Sequence, residues 1–308
     1  MDALVALRSA VRASLERFSP GDLILVAVSG GADSLALAES AKLESEKLAI
    51  KLLAVTIDHQ LQSGSNQQAE KVVNQLSMPC LIEKVNVNIT DGLEASARRA
   101  RYEALEKCAS ENGAVAVLLG HTKDDQAETV LLGLARGSGA RSLSAMAEVN
   151  GIYVRPFLSI TREQTVAACK ELNLHPWSDP HNEDSSFLRV RVRKEVLPVM
   201  ERELGLGIRD ALTRSAQLLR DDADALDALA TEFWANDKSL EIKALSTLSK
   251  AVRTRVLRLA LFESGVSQLS AEQVGQVEAL ISNWKGQGEV SLPSGVKVSR
   301  ISGRLTLS

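Results

Sequence analysis

Residues 26–37 read Val-Ala-Val-Ser-Gly-Gly-Ala-Asp-Ser-Leu-Ala-Leu, so a buried-strand pattern passes through Ser29-Gly30-Gly31-Ala32-Asp33-Ser34 and straight into a helical one. Such a turn leaves backbone N–H groups unpaired at the positive end of a helix, where an anion can sit. Gly30 and Gly31 allow close backbone approach and positive φ. Ser29 and Ser34 add hydroxyl donors, while the Asp33 carboxylate would oppose a phosphate unless a cation lay between them. Magnesium with a nucleotide triphosphate meets that condition; the alternative is a glycine turn with Asp33 or Ser34 as an ordinary N-cap. The loop lacks the lysine of G-x-x-x-x-G-K-[ST] and the spacing of G-x-G-x-x-G, which lowers kinases, GTPases and dehydrogenases in rank.

Three further stretches carry chemistry. In the helical pattern 94–105, Arg98, Arg101 and Tyr102 share a face and Arg99 does not. Two guanidiniums on one face can clamp a carboxylate or phosphate, or form a solvated basic face paired with Glu94 and Glu103. The stretch His121-Thr-Lys-Asp124-Asp125-Gln126-Ala-Glu128 puts three carboxylates at a helix start. The helix dipole and N-capping by Asp124 explain part of this, but capping needs one acid. Asp125 and Glu128, with His121 just before them, would then form an acidic pocket for an alkylammonium, able to take its proton. Arg189, Arg191, Arg193 and Lys194 put four cations into six residues. They spread around a helix or line one side of an extended chain, as a nucleic-acid phosphate contact or as a clamp between two domains.

The elements that must position these groups alternate. Strand patterns cover 22–28, 50–57, 80–87 and 115–119, and helical patterns cover 34–48, 66–76, 92–112 and 124–136. This order predicts an α/β doubly wound parallel sheet with ligands at the strand carboxyl ends, and Asp58 closes one such end. From about residue 195 long helices take over, with an acidic stretch at 221–227, and the last twenty residues alternate around Gly turns as a β-hairpin. The expected layout is a catalytic domain over 1–205 and a smaller, mainly helical domain over 206–308.

The chain has 308 residues, enough for two cores, and its apolar runs are strand-sized, too short to span a membrane. Its first twenty residues read as an amphipathic cap helix of a cytoplasmic protein. Cys80, Cys108 and Cys169 form no Cys-x-x-Cys, against a disulfide framework, a zinc site or an iron–sulfur cluster. A net charge of −3 gives no global sign of a polyanionic partner, yet bases concentrate at 98–101, 189–194 and 297–304.

The loop Ser29–Ser34 resembles the S-G-G-x-D-S signature of the PP-loop pyrophosphatase family, whose members bind ATP, transfer AMP to a substrate oxygen and release pyrophosphate. Residues 55–62 resemble the V-D-H-G-L-R segment of the tRNA(Ile)-lysidine synthetases, with Gln60 and Gln62 departing from it; the arginine role at 62 is therefore not carried over. Residues 94–105 are similar to that family's E-x-x-A-R-x-x-R-Y helix, and 119–139 to G-H-x-x-D-D-Q-A-E-T-x-L-x-x-x-x-R-G-x-G. Arg155-Pro-Phe-Leu158 with Arg162-Glu163 resembles R-P-L-L…R-x-E, and 179–193 resembles D-x-x-N-x-D…Y-x-R-N-x-I-R, with Phe187 and Val190 in place of Tyr and Asn.

The resemblance implies ligation of L-lysine to C2 of the wobble cytidine in an isoleucine tRNA with a CAU anticodon, after ATP adenylates the base. It assigns Ser29, Gly30, Gly31, Ala32, Asp33, Ser34 and Asp58 to ATP, with Asp33 also on magnesium. Asp33, Arg101, His121, Asp125 and Glu128 fall to catalysis and lysine, and Arg98, Arg189, Arg191, Arg193 and Lys194 to tRNA. No membrane partner is implied, and a homodimer is compatible with the pattern. Competing readings are a PP-loop tRNA thiolase, disfavoured by the unpaired cysteines, a glutamine-dependent synthetase, and an ATP-holding regulatory module that leaves the acidic cluster without a role.

Overall fold

The computed structural model describes residues 2–60, 64–90, 92–178, 183–266 and 269–308. It divides into two compact units, Met1–Ala216 and Gln217–Ser308. In the first unit α1 (Ala3–Leu15), β1 (Leu23–Ala27), α2 (Ala32–Leu48), β2 (Lys51–Asp58), α3 (Ser65–Gln75), β3 (Cys80–Lys84), α4 (Leu93–Asn112) and β4 (Ala116–Leu118) follow the alternation expected. After them come α5 (Lys123–Ala135), α6 (Ala140–Leu143), β5 (Val149–Asn150), β6 (Tyr153–Val154), α7 (Arg162–Glu171), α8 (Leu188–Arg191), a π-helical turn (Val192–Val196) and α9 (Leu197–Leu204).

The sheet order is β3-β2-β1-β4-β6-β5, parallel throughout except for the short antiparallel edge β5. Strand β1 explains why its sequence is a continuous apolar run. Ile24, Val26 and Val28 join a core with α1, α2 and α7, whereas Leu25 and Ala27 point to the opposite face and join Leu105 and Cys108 of α4. A strand covered on both faces cannot alternate apolar with polar. The strand order reverses between β1 and β4, which opens a crevice at their carboxyl ends. The loops carrying Ser29–Ser34 and Gly120–His121 both leave from that crevice. Strand β3 stops at Lys84, short of the expected 87, and the two-residue strands β5 and β6 carry no readable period.

Helix α10 (Ile208–Asn236) runs from the first unit into the second, which continues with α11 (Ile242–Thr247), α12 (Lys250–Glu263), α13 (Ala271–Ser282), β7 (Val290–Ser291), β8 (Lys297–Ile301) and β9 (Arg304–Leu307). Its core gathers Trp234, Val256, Leu261, Val277, Leu280, Val298 and Leu305. The expected terminal hairpin is β8–β9, closed at Ser302 and Gly303, both with positive φ as a type I′ turn requires, and β7 adds a third antiparallel strand.

The amphipathic first helix docks through more than its apolar stripe of Leu7, Val11 and Leu15. Glu44, on the inner face of α2 and 2 % exposed, takes ion pairs from Arg8 and Arg12 of α1, each at 2.7 Å, and from Lys47 at 2.9 Å. Burial pushes its pKa up, but hydrogen bonds from Lys47, Arg8 and Arg12 outweigh burial and hold it at about 2. A folded-state value below the unfolded one gives stabilisation that is fully present above about pH 4.5 and is lost as pH falls towards about 2. Urea unfolding of Glu44→Gln should therefore show a deficit against wild type at about pH 7 that shrinks below about pH 4.5 and closes only towards about pH 2; a deficit independent of pH contradicts the ion-pair assignment.

Candidate active site

The first loop is built to leave its amides open. Gly30 adopts φ +87°, and a Cβ there would lie 2.6 Å from Val72 Cγ2, so only glycine fits. Gly31 is the N-cap of α2 and no side chain caps this helix, which removes the alternative of Asp33 or Ser34 as an ordinary cap. Ser34 works from inside: its Oγ accepts the Ser29 N–H at 3.1 Å and donates to the Gly31 carbonyl at 2.9 Å. The Ala32 methyl packs on the core, leaving its backbone to line the turn. A Cβ on Gly120, just after β4, would approach the Asp33 carbonyl oxygen to 3.0 Å, so the two crevice loops touch backbone to backbone.

Beside this loop lies a cavity of about 320 Å³ lined by Ser29, Gly31, Val55, His59, Arg101 and Trp177, among others. Trp177 is anchored by its backbone N–H, which donates to the Gly30 carbonyl at 2.9 Å. Among the described residues no acceptor or carboxylate pairs with Arg101, whose positive charge burial disfavours. An unanswered guanidinium facing a cavity next to open amides is suited to an anion. His59 is held neutral by burial and by Arg101, and its Nδ1 has no partner among the described residues. Asp58 also has a local structural role. Its carboxylate is buried at the end of β2 and accepts the Gln60 N–H at 3.0 Å, closing a turn, and His59 is the residue of this segment that reaches the cavity. Gln60 takes φ +54° where the resembling segment has glycine, while Leu61 and Gln62 lie outside the described residues.

At the start of α5 the division of labour among the acids also differs from expectation. The capping acid is Asp125, not Asp124: its Oδ2 accepts from the Thr122 N–H (2.8 Å) and hydroxyl (3.0 Å) in a capping box. Asp124 accepts the backbone N–H of Arg162 at 2.9 Å and faces Arg209 at 3.4 Å. Glu128 is fully buried and meets Arg193 at 2.7 Å, Arg189 at 2.9 Å and Arg162 at 3.4 Å. The same Arg162 guanidinium reaches Asp125 Oδ1 at 3.3 Å and Asp33 Oδ2 at 3.5 Å, and Thr165, one turn on, donates to the other Asp33 oxygen. Asp33, Asp124, Asp125 and Glu128 are thus answered by Arg162, Arg189, Arg193 and Arg209, so the acidic cluster is charge-compensated.

Burial lowers the His121 pKa to about 3, with Asp125 opposing, so the imidazole is neutral; its Nδ1 has no partner among the described residues. For Asp33 burial prevails over Arg162 and Thr165 and raises the pKa. For Asp125 burial also raises it, but Arg162, Arg189 and the Thr122 amide prevail and lower it.

The basic run is divided in the same way. Arg189 and Arg193 turn inward to Glu128, Arg191 donates to the carbonyls of Ser185 and Ser186, and Lys194 pairs with Glu183. Arg189 and Arg193 thus form an internal clamp within the first unit. Of that run Arg191 and Lys194 are solvent-facing, as is Arg98, which stacks on Tyr102 at 5.1 Å. Val190 is buried, and the Phe187 N–H donates to the Asp184 carbonyl. Residues 179–182 and the Glu94 side chain lie outside the described residues. Sequence reasoning assigned no role to Arg162, Thr165, His59, Trp177 or Gly120. Arg162 and Gly120 stood inside quoted motifs, whereas Trp177 offered no signal.

A mostly parallel sheet with an uncapped glycine loop at its switch point defines a nucleotide-binding domain of the PP-loop class, and residues 7–200 match the family model described as PP-loop domain. Residues 240–306 match the model of the TilS substrate binding domain. The chain is 47 % identical over 312 residues to the tRNA(Ile)-lysidine synthase of Thermobifida fusca, covering 98 % of this chain and 96 % of that one. With the Streptomyces coelicolor protein of the same name it shares 49 % identity, over 92 % of this chain and 85 % of that one. The chain belongs to the tRNA(Ile)-lysidine synthase family. Among solved structures, the U34-tRNA thiolase NcsA from Methanococcus maripaludis shares the fold, with a TM-score of 0.59 at 16 % identity over 71 % of this chain and 79 % of that one.

Two substitutions check this geometry. Glu128→Ala strands three guanidiniums around a void and should lower unfolding stability by ~2–3 kcal/mol, less than a wholly buried pair would because the arginines are partly exposed; a loss under ~0.5 kcal/mol in urea contradicts the buried clamp. Gln60→Gly relieves a left-handed backbone and should raise stability by up to ~1 kcal/mol, with a fall contradicting the turn described.

Proposed function

We propose that this chain ligates L-lysine to C2 of the wobble cytidine of a CAU-anticodon isoleucine tRNA, with ATP consumed to AMP and pyrophosphate. The observation that carries this reading is the near full-length identity to relatives of that name, joined to a loop of open amides beside the unpaired Arg101. The base oxygen leaves poorly as it stands, and transfer of AMP to it splits one high barrier into two lower ones. The amides of Gly31, Ala32, Asp33 and Ser34 at the α2 N-terminus, with Ser29 and Gly30, suit the departing pyrophosphate. Arg101 suits a phosphate or the lysine carboxylate.

Asp33 fits a magnesium ion that arrives with the nucleotide. Magnesium typically takes one or two carboxylates, with phosphate oxygens and waters completing its shell, and Asp33 presents a carboxylate fixed by Thr165 next to the phosphate loop. When bound, the ion would offset phosphate charge. The lysine ε-amine, with an ordinary pKa of ~10.4, arrives protonated and must lose that proton before attack. Asp125 and Glu128, now paired with Arg162, would exchange part of that pairing for such an ammonium, and neutral His121 near Asp125 offers a ring nitrogen as hydrogen-bond partner. Of the cations expected to meet the tRNA, Arg98, Arg191 and Lys194 face solvent. The wobble base must leave its stack, at least cost in a single-stranded loop. The substrates place the reaction in the cytoplasm. Thiolation is the weaker reading, because burial pushes the thiols of Cys80 and Cys169 up to about 11, away from the reactive thiolate.

Incubation with magnesium-ATP, labelled lysine and the CAU-anticodon isoleucine tRNA should give lysine in the tRNA and one AMP per lysine added, with lysidine found by mass analysis of the wobble nucleoside. No incorporation by protein that binds ATP would sink this reading.

A further inference from the structure

The chain leaving α7 is fastened at three successive points. Leu174 packs on the core and its N–H donates to the Cys169 carbonyl at 2.9 Å, the His175 N–H donates to Gln75 Oε1 of α3 at 2.8 Å, and the Trp177 N–H donates to the Gly30 carbonyl at 2.9 Å. The last of these ties sets the backbone of Trp177 directly on the phosphate loop. Its indole has no comparable structural duty. It is half-buried and, among the described residues, joins none of the apolar cores, although Leu174 three positions earlier does. What it borders is the cavity of about 320 Å³ beside the loop, a volume within the ~300–1,000 Å³ usual for ligand pockets.

That cavity has two kinds of lining. Ser29, Gly31 and Arg101 supply polar groups, whereas Ala27, Val55 and Ile57 from β1 and β2 supply apolar surface. Ala27 and Val55 are register partners, and Ile57 lies two residues on from Val55, so the three share one face of the sheet. An apolar patch together with an aromatic side chain that no core employs suits a flat ring, not an ion. Since the phosphate loop lines the same cavity, that ring belongs to a molecule whose phosphates lie on the loop.

We propose that Trp177 is the base-stacking residue of the nucleotide site, and that its indole, with Ala27, Val55 and Ile57, encloses a purine and sets the preference for purine over pyrimidine triphosphates. The inference rests on the functional reading above, which brings ATP to the loop. A two-ring base overlaps an indole over more area than a one-ring base does, so stacking favours it. Stacking reads no exocyclic group, because every base presents a π-face. Trp177 therefore sorts bases by ring size and leaves adenine against guanine to other groups.

Two signals read binding in the protein without tRNA: affinity by equilibrium dialysis, and tryptophan emission, which Trp177 shares with Trp234 and Trp284 of the second unit. Magnesium-ATP should quench wild-type emission, and magnesium-pyrophosphate should not. Trp177→Phe keeps an aromatic face and should hold ATP with little loss while abolishing the quench. Trp177→Ala should weaken ATP about ten-fold and CTP far less, with pyrophosphate affinity and the ATP-to-GTP ratio as in wild type. Equal loss of ATP and pyrophosphate in the Ala variant makes Trp177 a fastener of the loop and overturns the proposal, as does an unchanged ATP-to-CTP ratio. A quench given by the CAU anticodon stem-loop and not by ATP also overturns it, assigning the indole to the target base. If Trp177→Ala does not fold, the Phe variant decides, and a wild-type quench in it overturns the proposal. Failure of wild type to bind ATP at all rejects the functional reading instead.

Discussion

A carboxylate taken wholly out of water must be answered by positive charge, and in this fold Glu128 is the acid around which the answering groups are arranged. It sits on the second turn of α5, at the carboxyl edge of the sheet, where the strand order reverses. Its three arginines come from α7, α8 and the π-helical turn, so these three elements all meet α5 at Glu128. Arg162 passes the coupling on to Asp33 and hence to the phosphate loop. The helical pitch of this region matters: Arg189 and Arg193 are separated by one turn and reach the same carboxylate, while Arg191 and Lys194 face away.

This dependence explains what was and was not legible in the sequence. Strand β1 was legible because burial on both faces writes itself as an unbroken apolar run, and the phosphate loop because Gly30 has no substitute beside Val72. The identity of the acids at 124–128 was legible, but their partners were not. Arg162, Arg189 and Arg193 lie 34, 61 and 65 residues from Glu128, beyond any local period. A run of four cations without an acid looks free when the neutralising acid is that distant. Asp58 is a residue type that suits a ligand and a turn equally, and its buried carboxylate at the end of β2 accepts the Gln60 N–H of a turn.

Charge count is a poor guide to such a site. The net charge of −3 and the local clusters both suggest surfaces of one sign, yet the crevice pairs acids with arginines almost one for one. What differs within it is tightness. Some pairs are short, while Arg162 spans Asp33, Asp125 and Glu128 at 3.3–3.5 Å and draws its stabilisation from several carboxylates at once.

The contact of Gly120 with the backbone of Asp33 and Ser34 has a consequence for how the family can vary. Two loops sharing one van der Waals boundary cannot lengthen independently, because an added residue in either would drive the other from its helix. Insertions and deletions should therefore be excluded from these two loops, and change there is left to side chains on a backbone of constant length.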